Sequence, residues 1–401
     1  MTAQPAPVAA AGARTGWPAV AVVVASGIVA ALQVGKGVIA MPTLRAEFGL
    51  GLEAAGWIMS VFAVLGVVGG IPTGAAVNRF GDRRLLAFGL LALALGSIAG
   101  AAAPGFGLLL AARTLEGFGF LLVVVAAPAL LQRIAAAADR DIVFGIWSSF
   151  MPAGMAIALL IGASLDGWRG FWQANAVLAA AFALLLLAVV PARPRGTGDA
   201  PSWRALGRDA ALTITSGGPL LSGATFALYS LLYFALISFL PVLLMQRMDV
   251  TVATAGTLTA IAVGANVIGN VSAGALLARG SPRWVLIAGA CVVMAVSGII
   301  IFLSVLPPVP TFLLCVLFSG TGGLLPATVL GGAPLVAPMP RLAPMTLGLT
   351  MQGSNLGQVV GPVVVGGVVD AAGWPAAAIP VAIAGVLGIG AALALRRTYR
   401  R

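Results

Sequence analysis

The sequence contains no histidine, a single lysine and two cysteines, and charged residues make up only 8% of its 401 positions. A soluble domain typically has roughly 25% charged residues, so this scarcity excludes a soluble globular protein for most of the length. The absence of histidine removes the commonest near-neutral proton carrier and metal ligand. Both cysteines, Cys291 and Cys315, lie within apolar runs and predict neither a disulfide framework nor a zinc site. We therefore expect neither a metal nor a cofactor.

Long apolar runs dominate the rest of the chain, which is 60% hydrophobic. A helix needs about 20 apolar residues to cross a bilayer, and the sequence accommodates twelve such runs. The predicted helices cover residues 17–43, 54–77, 85–103, 105–132, 143–165, 171–192, 217–246, 252–277, 284–304, 310–336, 345–369 and 375–395. The polar stretch 193–216 is predicted to be a cytoplasmic linker between two six-helix bundles, 17–192 and 217–395. A disordered tail, 1–16, and a basic tail, 396–401, flank the bundles.

The arginines favour one orientation, since cytoplasmic loops of membrane proteins hold an excess of Lys and Arg. With the N-terminus inside, the arginines that fall in cytoplasmic loops or tails are Arg79, Arg83, Arg84, Arg133, Arg140, Arg193, Arg195, Arg204, Arg208, Arg279, Arg283, Arg341, Arg396, Arg397, Arg400 and Arg401. Those outside are Arg45, Arg169 and Arg247. We expect both termini in the cytoplasm, with Trp57, Trp168, Trp172 and Trp374 near the outer ends as an aromatic belt. The net charge of +11 then reflects topology, and no nucleic-acid partner is expected.

The two predicted bundles echo each other in sequence. Five residues recur 200 positions later, namely Gly56, Gly69, Gly74, Arg79 and Arg83 as Gly256, Gly269, Gly274, Arg279 and Arg283. A shared offset with helices in matching positions is stronger evidence than any single glycine. Repeats of six helices around a midplane site are typical of transporters. The predicted fold class is an all-α integral membrane protein with twelve transmembrane helices in two pseudo-repeats around a central cavity.

Two motifs resemble those of the major facilitator superfamily, and the resemblance covers nearly the whole chain. The loop after the second helix carries Gly74, Asn78, Arg79, Gly81, Asp82, Arg83 and Arg84, similar to the signature loop that helps hold the inward gate in that superfamily. Two positions depart from that loop: Asn78 replaces the usual aspartate, and Asp82 replaces a usual basic residue. The fourth helix reads Arg113-Thr-Leu-Glu116-Gly117-Phe-Gly119, which resembles the Arg-x-x-Gln/Glu-Gly-x-Gly motif.

One branch of the superfamily looks closest, that of the cyanate-porter-like small-solute permeases. The similar segments are the run from Arg113 to Pro128, Gly145-Ile-Trp147, Met151-Pro152-Ala-Gly154 and Gly167-Trp168-Arg169. The resemblance implies a multi-pass protein of a bacterial inner membrane that moves a small molecule by alternating access. Cyanate itself does not carry over, since members of this branch are mostly named by similarity. Nothing in the sequence requires more than a monomer, because both bundles lie on one chain.

Three ionisable residues lie well inside predicted helices: Lys36, Arg113 and Glu116. At 1.5 Å per residue, Lys36 and Arg113 lie about 9–12 Å below the outer surface, and Glu116 lies one turn deeper. In the resembling fold the first and fourth helices line the central cavity, so we expect one site with two cations and one carboxylate. Such a site predicts binding of an anion, with Glu116 as the proton-coupling group of a symporter. The alternative is structural: Arg113 and Glu116 brace the fourth helix, and Lys36 extends to the interface.

The second bundle offers uncharged side chains for the same cavity. The candidate substrate contacts are Tyr229, Tyr233, Asn266, Asn270, Gln352, Asn355 and Gln358, with Gln33 from the first helix. Amides and phenols can orient a small polar ligand. They also serve as interhelical hydrogen-bonding groups, and that interpretation stays open.

Other functions remain as alternatives. A proton-coupled exporter of drugs is the main one, although the fifth helix lacks the Gly-Pro pair of known antiporters, and lipophilic cations favour acids over Lys36 and Arg113. Import of Cu(I) through Met151, Met155, Met345 and Met351 is opposed by the same cations. A membrane enzyme or sensor lacks support, because no nucleophile–base pair, phosphate-binding loop or soluble domain is evident.

Overall fold

The computed structural model describes residues 15–136, 139–162, 167–192 and 203–399. These residues are largely helical: α1 (Trp17–Phe48), α2 (Leu52–Phe80), α3 (Asp82–Ala101), α4 (Phe106–Ile134), α5 (Arg140–Ser148), α6 (Phe150–Gly162), α7 (Trp168–Val189), α8 (Trp203–Thr215), α9 (Gly217–Ile237), α10 (Leu240–Met248), α11 (Val252–Ala278), α12 (Arg283–Leu303), α13 (Pro308–Gly322), α14 (Leu324–Val336), α15 (Ala343–Ala372) and α16 (Ala378–Thr398). Two short 3₁₀ helices, Pro340–Leu342 and Trp374–Ala377, flank α15. Most of the predicted N-terminal tail and the end of the basic tail lie outside the described residues.

The predicted membrane-spanning architecture is confirmed in its main feature. Within the described ranges, 11 helical segments are long and apolar enough to cross a membrane. Two of these segments, Gly217–Met248 and Pro308–Val336, each contain two helices in sequence. The fifth predicted span differs, because the chain bends at Ser149 between α5 and α6 and its apolar stretch, Ile146–Gly162, is shorter. The predicted linker also contains structure, since α8 forms within it.

A single residue separates α2 from α3. Gly81 has φ +88°, a backbone conformation that favours glycine because side chains with a Cβ clash there. Its N–H donates to the carbonyl of Val77 over 3.0 Å and closes α2. The next residue, Asp82, begins α3. This sharp reversal places the acidic start of α3 at the end of the bundle that we predict to be cytoplasmic.

The first half of the chain (α1–α7) and the second half (α9–α16) meet along α2 and α15. Glycines allow the two backbones to approach closely. A Cβ added to Gly56 would lie 3.1 Å from the carbonyl oxygen of Pro362, and one on Gly70 would lie 2.7 Å from that of Gly348. The Ser60 hydroxyl donates to the Val359 carbonyl over 2.9 Å. A second contact between the halves joins α6 and α11.

A carboxylate from the second half caps a helix of the first half at one end of the bundle. Asp370, near the end of α15, accepts hydrogen bonds from the backbone N–H of Leu52 over 3.3 Å and of Glu53 over 2.8 Å. These donors belong to the first turn of α2, whose own N-cap residue is Gly51 and offers no side-chain acceptor. The carboxylate therefore satisfies free N–H groups and faces the positive end of the helix dipole. We refer to this contact as the Asp370 clasp.

Beside the clasp, a cleft of about 350 Å³ opens between the end of α1 and α10. Its walls include Pro42, Arg45 and Ala46 from the first half and Val242 and Gln246 from the second. The Trp374 indole donates to the Gln246 side chain over 2.8 Å at this end. The cleft and the clasp therefore lie at the end of the bundle that we predict to be external.

Two of the four tryptophans predicted to form an aromatic belt, Trp168 and Trp172, are buried within the protein. Trp168 lies near the end of α1 and its indole donates to Glu47 over 2.7 Å. Trp172, one turn later, is fully buried. Its ring packs edge-on against Trp168, with ring centroids 5.3 Å apart. Its face is turned to the bundle interior, where it contacts the site described next.

Candidate functional site

The three charged residues predicted to lie together do meet in the interior of the first half. Glu116 on α4 holds both cations: its Oε1 lies 2.6 Å from Lys36 Nζ, and its Oε2 lies 2.5 Å from Arg113 Nη1. All three side chains are fully buried. Arg113 and Glu116 are three residues apart on α4 and share one face, whereas Lys36 reaches across from α1. We call this group the charged cluster.

The Lys36 ammonium has three partners arranged around it. It donates to Glu116 and, over 2.8 Å, to the hydroxyl of Ser97 on α3. Its third side faces the ring of Trp172 on α7, whose centroid is 4.5 Å away. Cation–π contacts of this kind stabilise a desolvated ammonium. The alternative in which Lys36 extends to the membrane interface therefore does not describe this structure.

Ser97 links the cluster to Gln33. Its hydroxyl oxygen lies 2.8 Å from Glu116 Oε1 and 3.0 Å from Gln33 Oε1, so its one proton can be donated to either group. Ser97 and Trp172 are absent from the site residues predicted from the sequence. Ser97 is the single polar side chain within the apolar part of α3, which is a usable signal. Trp172 gave no such signal, because its position near a helix end is also typical of an interfacial tryptophan.

The Arg113 guanidinium is held by backbone carbonyls of two further helices. Nη1 donates to the Gln33 carbonyl over 2.7 Å, and Nε donates to the Ile58 carbonyl over 3.2 Å. The guanidinium also lies over the Phe62 ring, 4.5 Å from its centroid. Its remaining nitrogen, Nη2, has no hydrogen-bond partner among the residues that the structure describes. The carbonyls fix the orientation of Arg113 independently of Glu116.

Glycines make room for these large side chains. A Cβ on Gly96 would lie 2.7 Å from Glu116 Cγ, and one on Gly100 would lie 2.8 Å from the Trp172 ring. The glycines beside Lys36 differ in purpose. A Cβ on Gly35 would lie 2.6 Å from that of Ala158 on α6, so Gly35 serves helix packing. Gly37 faces Arg113, and a Cβ there would lie 3.3 Å from Nη2.

Four of the uncharged candidates in the second half form a separate buried group on α9 and α11, next to α13. The rings of Tyr229 and Tyr233 stack with centroids 5.7 Å apart. The Asn266 amide donates to the Ser319 carbonyl over 2.8 Å and lies 3.5 Å from the Tyr229 hydroxyl. Asn270 donates to the side-chain oxygen of Asn266 over 2.9 Å. The structure thus brings these four predicted residues together, apart from the charged cluster.

The three predicted amides of α15 lie at helix contacts. Gln352 donates to the Val67 carbonyl of α2 over 3.1 Å, across the boundary between the halves. Asn355 lies against Gly66 of α2 and donates to the Met351 carbonyl one turn earlier. Gln358 donates to the Ser354 hydroxyl over 3.2 Å. These bonds are of the interhelical and local kind left open as an alternative to substrate contact.

The loop that resembles a gate is bonded to its own half. Asp82 forms a two-pronged ion pair with Arg133 of α4, with both N–O distances at 2.9 Å. Arg83 donates to the Leu187 carbonyl near the end of α7. Asp82, which replaces a usual basic residue, therefore joins the start of α3 to the end of α4. The side chains of Asn78 and Arg79 lie outside the described set, and their predicted gating contacts stay predictions, as do those of Gly74 and the exposed Arg84.

Comparison with known proteins gives a family. The sequence profile described as Major Facilitator Superfamily matches residues 23–342 and 224–401. A puromycin resistance protein of Streptomyces alboniger is 30% identical over 190 residues, which are 46% of this chain and 37% of that protein. A multidrug resistance protein B homolog of Mycobacterium tuberculosis is 36% identical over 163 residues, 39% of this chain and 29% of the relative. The match thus spans about a third of the length of these curated relatives.

Relatives with other printed activities also match. A D-xylose transporter of Levilactobacillus brevis is 26% identical over 155 residues, which are 38% of this chain and 34% of that protein. Among solved structures, a bacterial homolog to the human lysosomal transporter Spinster, in an inward-facing and unoccupied conformation, superposes with a TM-score of 0.74. It is 16% identical, and the superposition covers 96% of this chain and 98% of that one. This likeness shows a shared fold over nearly the whole chain.

Proposed function

The chain belongs to the Major Facilitator Superfamily, and we propose that it moves a small anionic solute across the membrane by alternating access, together with protons. The family and the fold support a multi-pass membrane transporter rather than an enzyme. The transported class is the part that we propose, and the charged cluster supports it.

The observation that carries the proposal is the imbalance of charge in the cluster. Lys36 and Arg113 share a single carboxylate, Glu116, and all three are fully buried. A buried charge without a counter-ion is costly, because the low-dielectric interior cannot replace its hydration. One positive charge is therefore in excess, and an anion that enters the site would balance it. Attraction between charges is also stronger here than in water.

Glu116 is the proposed proton-coupling group. Its two oxygens hold the two cations separately, one oxygen to each. When Glu116 takes up a proton, both ion pairs lose their anion at once, and Lys36 and Arg113 become available to a substrate. Binding of the anion and the proton in the same cycle is symport. The structural alternative, in which the cluster is a permanent brace, predicts that the cluster keeps its bonds throughout transport.

The uncharged group of the second half is proposed to orient the solute from the opposite side. Tyr229, Tyr233, Asn266 and Asn270 are buried and grouped, and they offer hydroxyl and amide hydrogen bonds without net charge. We assign Gln352, Asn355 and Gln358 a supporting part in the contact of α15 with α2 and α9. Gln33 belongs with the charged cluster, through Ser97.

The orientation of the protein, its location in the inner membrane and its monomeric state are also parts of the proposal. The arginine distribution supports both termini in the cytoplasm, and the bacterial relatives support an inner-membrane location. Both halves lie on one chain, which supports a monomer. Cysteine labelling from each side of intact spheroplasts, and the mass of the protein in nanodiscs, test these points directly.

Uptake into proteoliposomes tests the proposed function. The wild-type chain is offered cyanate, nitrite and formate under an inward proton gradient, with Glu116→Gln and Lys36→Ala in parallel. We expect gradient-driven accumulation in the wild type, its loss in Lys36→Ala, and exchange without accumulation in Glu116→Gln. The matched control is Asp209→Asn on α8, which removes a carboxylate outside the membrane spans. Full activity in both cluster variants would contradict the proposal, as would the absence of transport for every anion.

A second candidate is proton-coupled export of drugs. The relatives named for puromycin resistance and multidrug resistance favour it. In everted vesicles an exporter would accumulate puromycin or ethidium when the interior is acidified. Such accumulation, lost in Glu116→Gln and insensitive to Lys36→Ala, would establish export in place of anion symport.

A further inference from the structure

Two fully buried donors have no acceptor in the described part of the chain. They are Arg113 Nη2, in the charged cluster, and Gln33 Nε2, which is linked to the cluster through Ser97. We infer that these two nitrogens form the seat of the transported anion, and that the anion is monovalent and carries two acceptor atoms. The inference deepens the proposed function and rests on it. It names the atoms that bind and the kind of solute that fits them.

Buried donors are rarely left without partners, because an unpaired one loses its hydrogen bonds to water and gains nothing in return. Here two such donors occur within one hydrogen-bonded group. Gln33 is joined to Glu116 through Ser97, and the Gln33 carbonyl accepts from Arg113 Nη1. A water molecule could satisfy the donors but would leave the excess charge. An anion satisfies the donors and balances the charge together.

A glycine of α1 lies against this edge of Arg113, which is itself fully buried. Gly37 lies one turn after Gln33, and a Cβ there would lie 3.3 Å from Nη2 and 3.0 Å from the Met59 sulfur. Any larger side chain at this position would therefore crowd the nitrogen that we assign to the anion. Because Nη1 and Nε are bonded to protein acceptors, Nη2 is the part of the guanidinium that remains for a ligand.

The number of donors limits the class of solute. While Glu116 is ionised, one positive charge is in excess, so a monovalent anion leaves the site neutral in that state, whereas a divalent anion would leave a negative charge buried. Two donor groups, on separate side chains, match two acceptor atoms. Formate, nitrite and cyanate have this chemistry, and sulfate and dicarboxylates do not.

Substitution of Gln33 by glutamate tests the seat directly, because it supplies a fixed carboxylate in place of the unpaired amide. The full chain in lipid nanodiscs is titrated with sodium formate, nitrite or cyanate against sodium chloride at equal ionic strength, and the unfolding midpoint is followed. We expect a saturable rise in the wild type. In Gln33→Glu the apparent Kd should weaken by about tenfold to a hundredfold, as expected for the loss of charge-assisted bonds. Gln173→Glu makes the same change at an exposed position of α7 and should bind as the wild type does.

A second variant keeps the test valid if Gln33→Glu fails to fold. Gly37→Ala adds one methyl group beside Nη2 and should raise the KM for uptake about tenfold with a smaller change in maximal rate. Its control is Gly331→Ala, which adds a methyl 3.4 Å from an Arg283 nitrogen in the second half. Anion uptake that is unchanged in Gln33→Glu and Gly37→Ala would overturn the seat and leave the proposed function standing. Failure of the wild type to bind or transport any of the three anions would overturn both.

Discussion

The two halves of this protein bury different kinds of polar group. Among the described residues, the buried charged side chains are Lys36, Asp82, Arg113 and Glu116, and all belong to the first half. The corresponding interior of the second half holds hydroxyls and amides, such as Tyr229 and Asn266. The difference separates two tasks. One half provides charge, which is where we propose that a proton binds, while the other provides hydrogen bonds whose strength does not depend on protonation near neutral pH.

This division has an energetic basis. A buried charge must be compensated in every conformation, and the partners of Glu116 all lie in its own half, on α1, α3 and α4. Relative movement of the halves alone therefore does not separate the ion pairs, and in the proposed cycle they are lost only when Glu116 is protonated. Had Lys36 been paired with a carboxylate of the second half, each opening would have separated two charges in a low dielectric, at a cost of several kcal/mol.

Loss of the shared carboxylate should show most clearly that the two halves are held together internally by interactions of different strength. Glu116→Gln leaves two buried cations without an anion and should destabilise the protein by about 3–5 kcal/mol. Asn266→Leu in the second half removes hydrogen bonds only and should cost about 1–3 kcal/mol. Thermal unfolding of both variants in nanodiscs measures the contrast. Equal losses would mean that the two interiors are held by interactions of similar strength.

Removal of one cation should cost less than removal of the carboxylate, although the same 2.6 Å ion pair is broken. In Lys36→Met, Glu116 keeps Arg113 as its partner and the remaining pair is neutral. We expect a loss of about 1–3 kcal/mol in stability and a fall of at least about tenfold in anion uptake. Lys36→Ala, which also leaves a cavity beside Trp172, should be less stable than Lys36→Met. A Lys36→Met protein that is less stable than Glu116→Gln would contradict the idea of excess positive charge.

The Asp370 clasp joins the halves, and its loss should alter the balance between them. Asp370→Ala removes a helix cap worth about 1 kcal/mol, which corresponds to about a fivefold shift toward conformations open at that end. The measurement is the rate at which a thiol reagent labels Val242→Cys, a buried position in the wall of the adjacent cleft, since the native Cys291 and Cys315 are also buried. Asp370→Asn retains one acceptor and should give an intermediate rate. Identical rates in all three proteins would show that the clasp does not hold this end closed.

The smallest effect is expected in the second half. Tyr229→Phe removes a hydroxyl whose contact with Asn266 is long, at 3.5 Å, and should cost about 0.5 kcal/mol or less. If this half orients the solute, the KM for uptake should rise a few-fold while the ratio of protons to anions stays unchanged. A changed proton ratio would assign coupling to both halves. Measurement of proton and anion flux in the same vesicles decides between these outcomes.

Much of the fold follows from composition, because apolar runs of about 20 residues have one stable arrangement in a bilayer. The break of the fifth span at Ser149 has a signal in the sequence, since Pro152 lacks the N–H that would bond to the Ser148 carbonyl and its ring clashes with that carbonyl. The Asp370 clasp, by contrast, was hidden. Its two partners are backbone N–H groups more than 300 residues away, and a backbone group leaves no pattern in the sequence.

The charged cluster was predictable in its members but not in its geometry. Counting turns placed Lys36 and Arg113 at similar depth with Glu116 on the same face as Arg113, and the structure brings the three together. The rotation of α1 relative to α4 decides which cation meets which oxygen, and that rotation depends on packing. Trp172 shows the same limit, since one turn of α7 separates an interfacial tryptophan from one that lies beside an ammonium.

Lys36 and its carboxylate are 80 residues apart, which matters while the protein is being made. The first helix is synthesised long before the fourth, and translation proceeds at about 5–20 residues per second. For the roughly 4–16 s that this rate implies, the ammonium has no counter-ion on the nascent chain. During that time the isolated ammonium opposes the insertion of α1 into lipid, by about 2.5–3.5 kcal/mol for a charge at a helix centre. The arrival of α4 supplies the counter-ion, so the same ion pair also lowers the cost of keeping α1 in lipid.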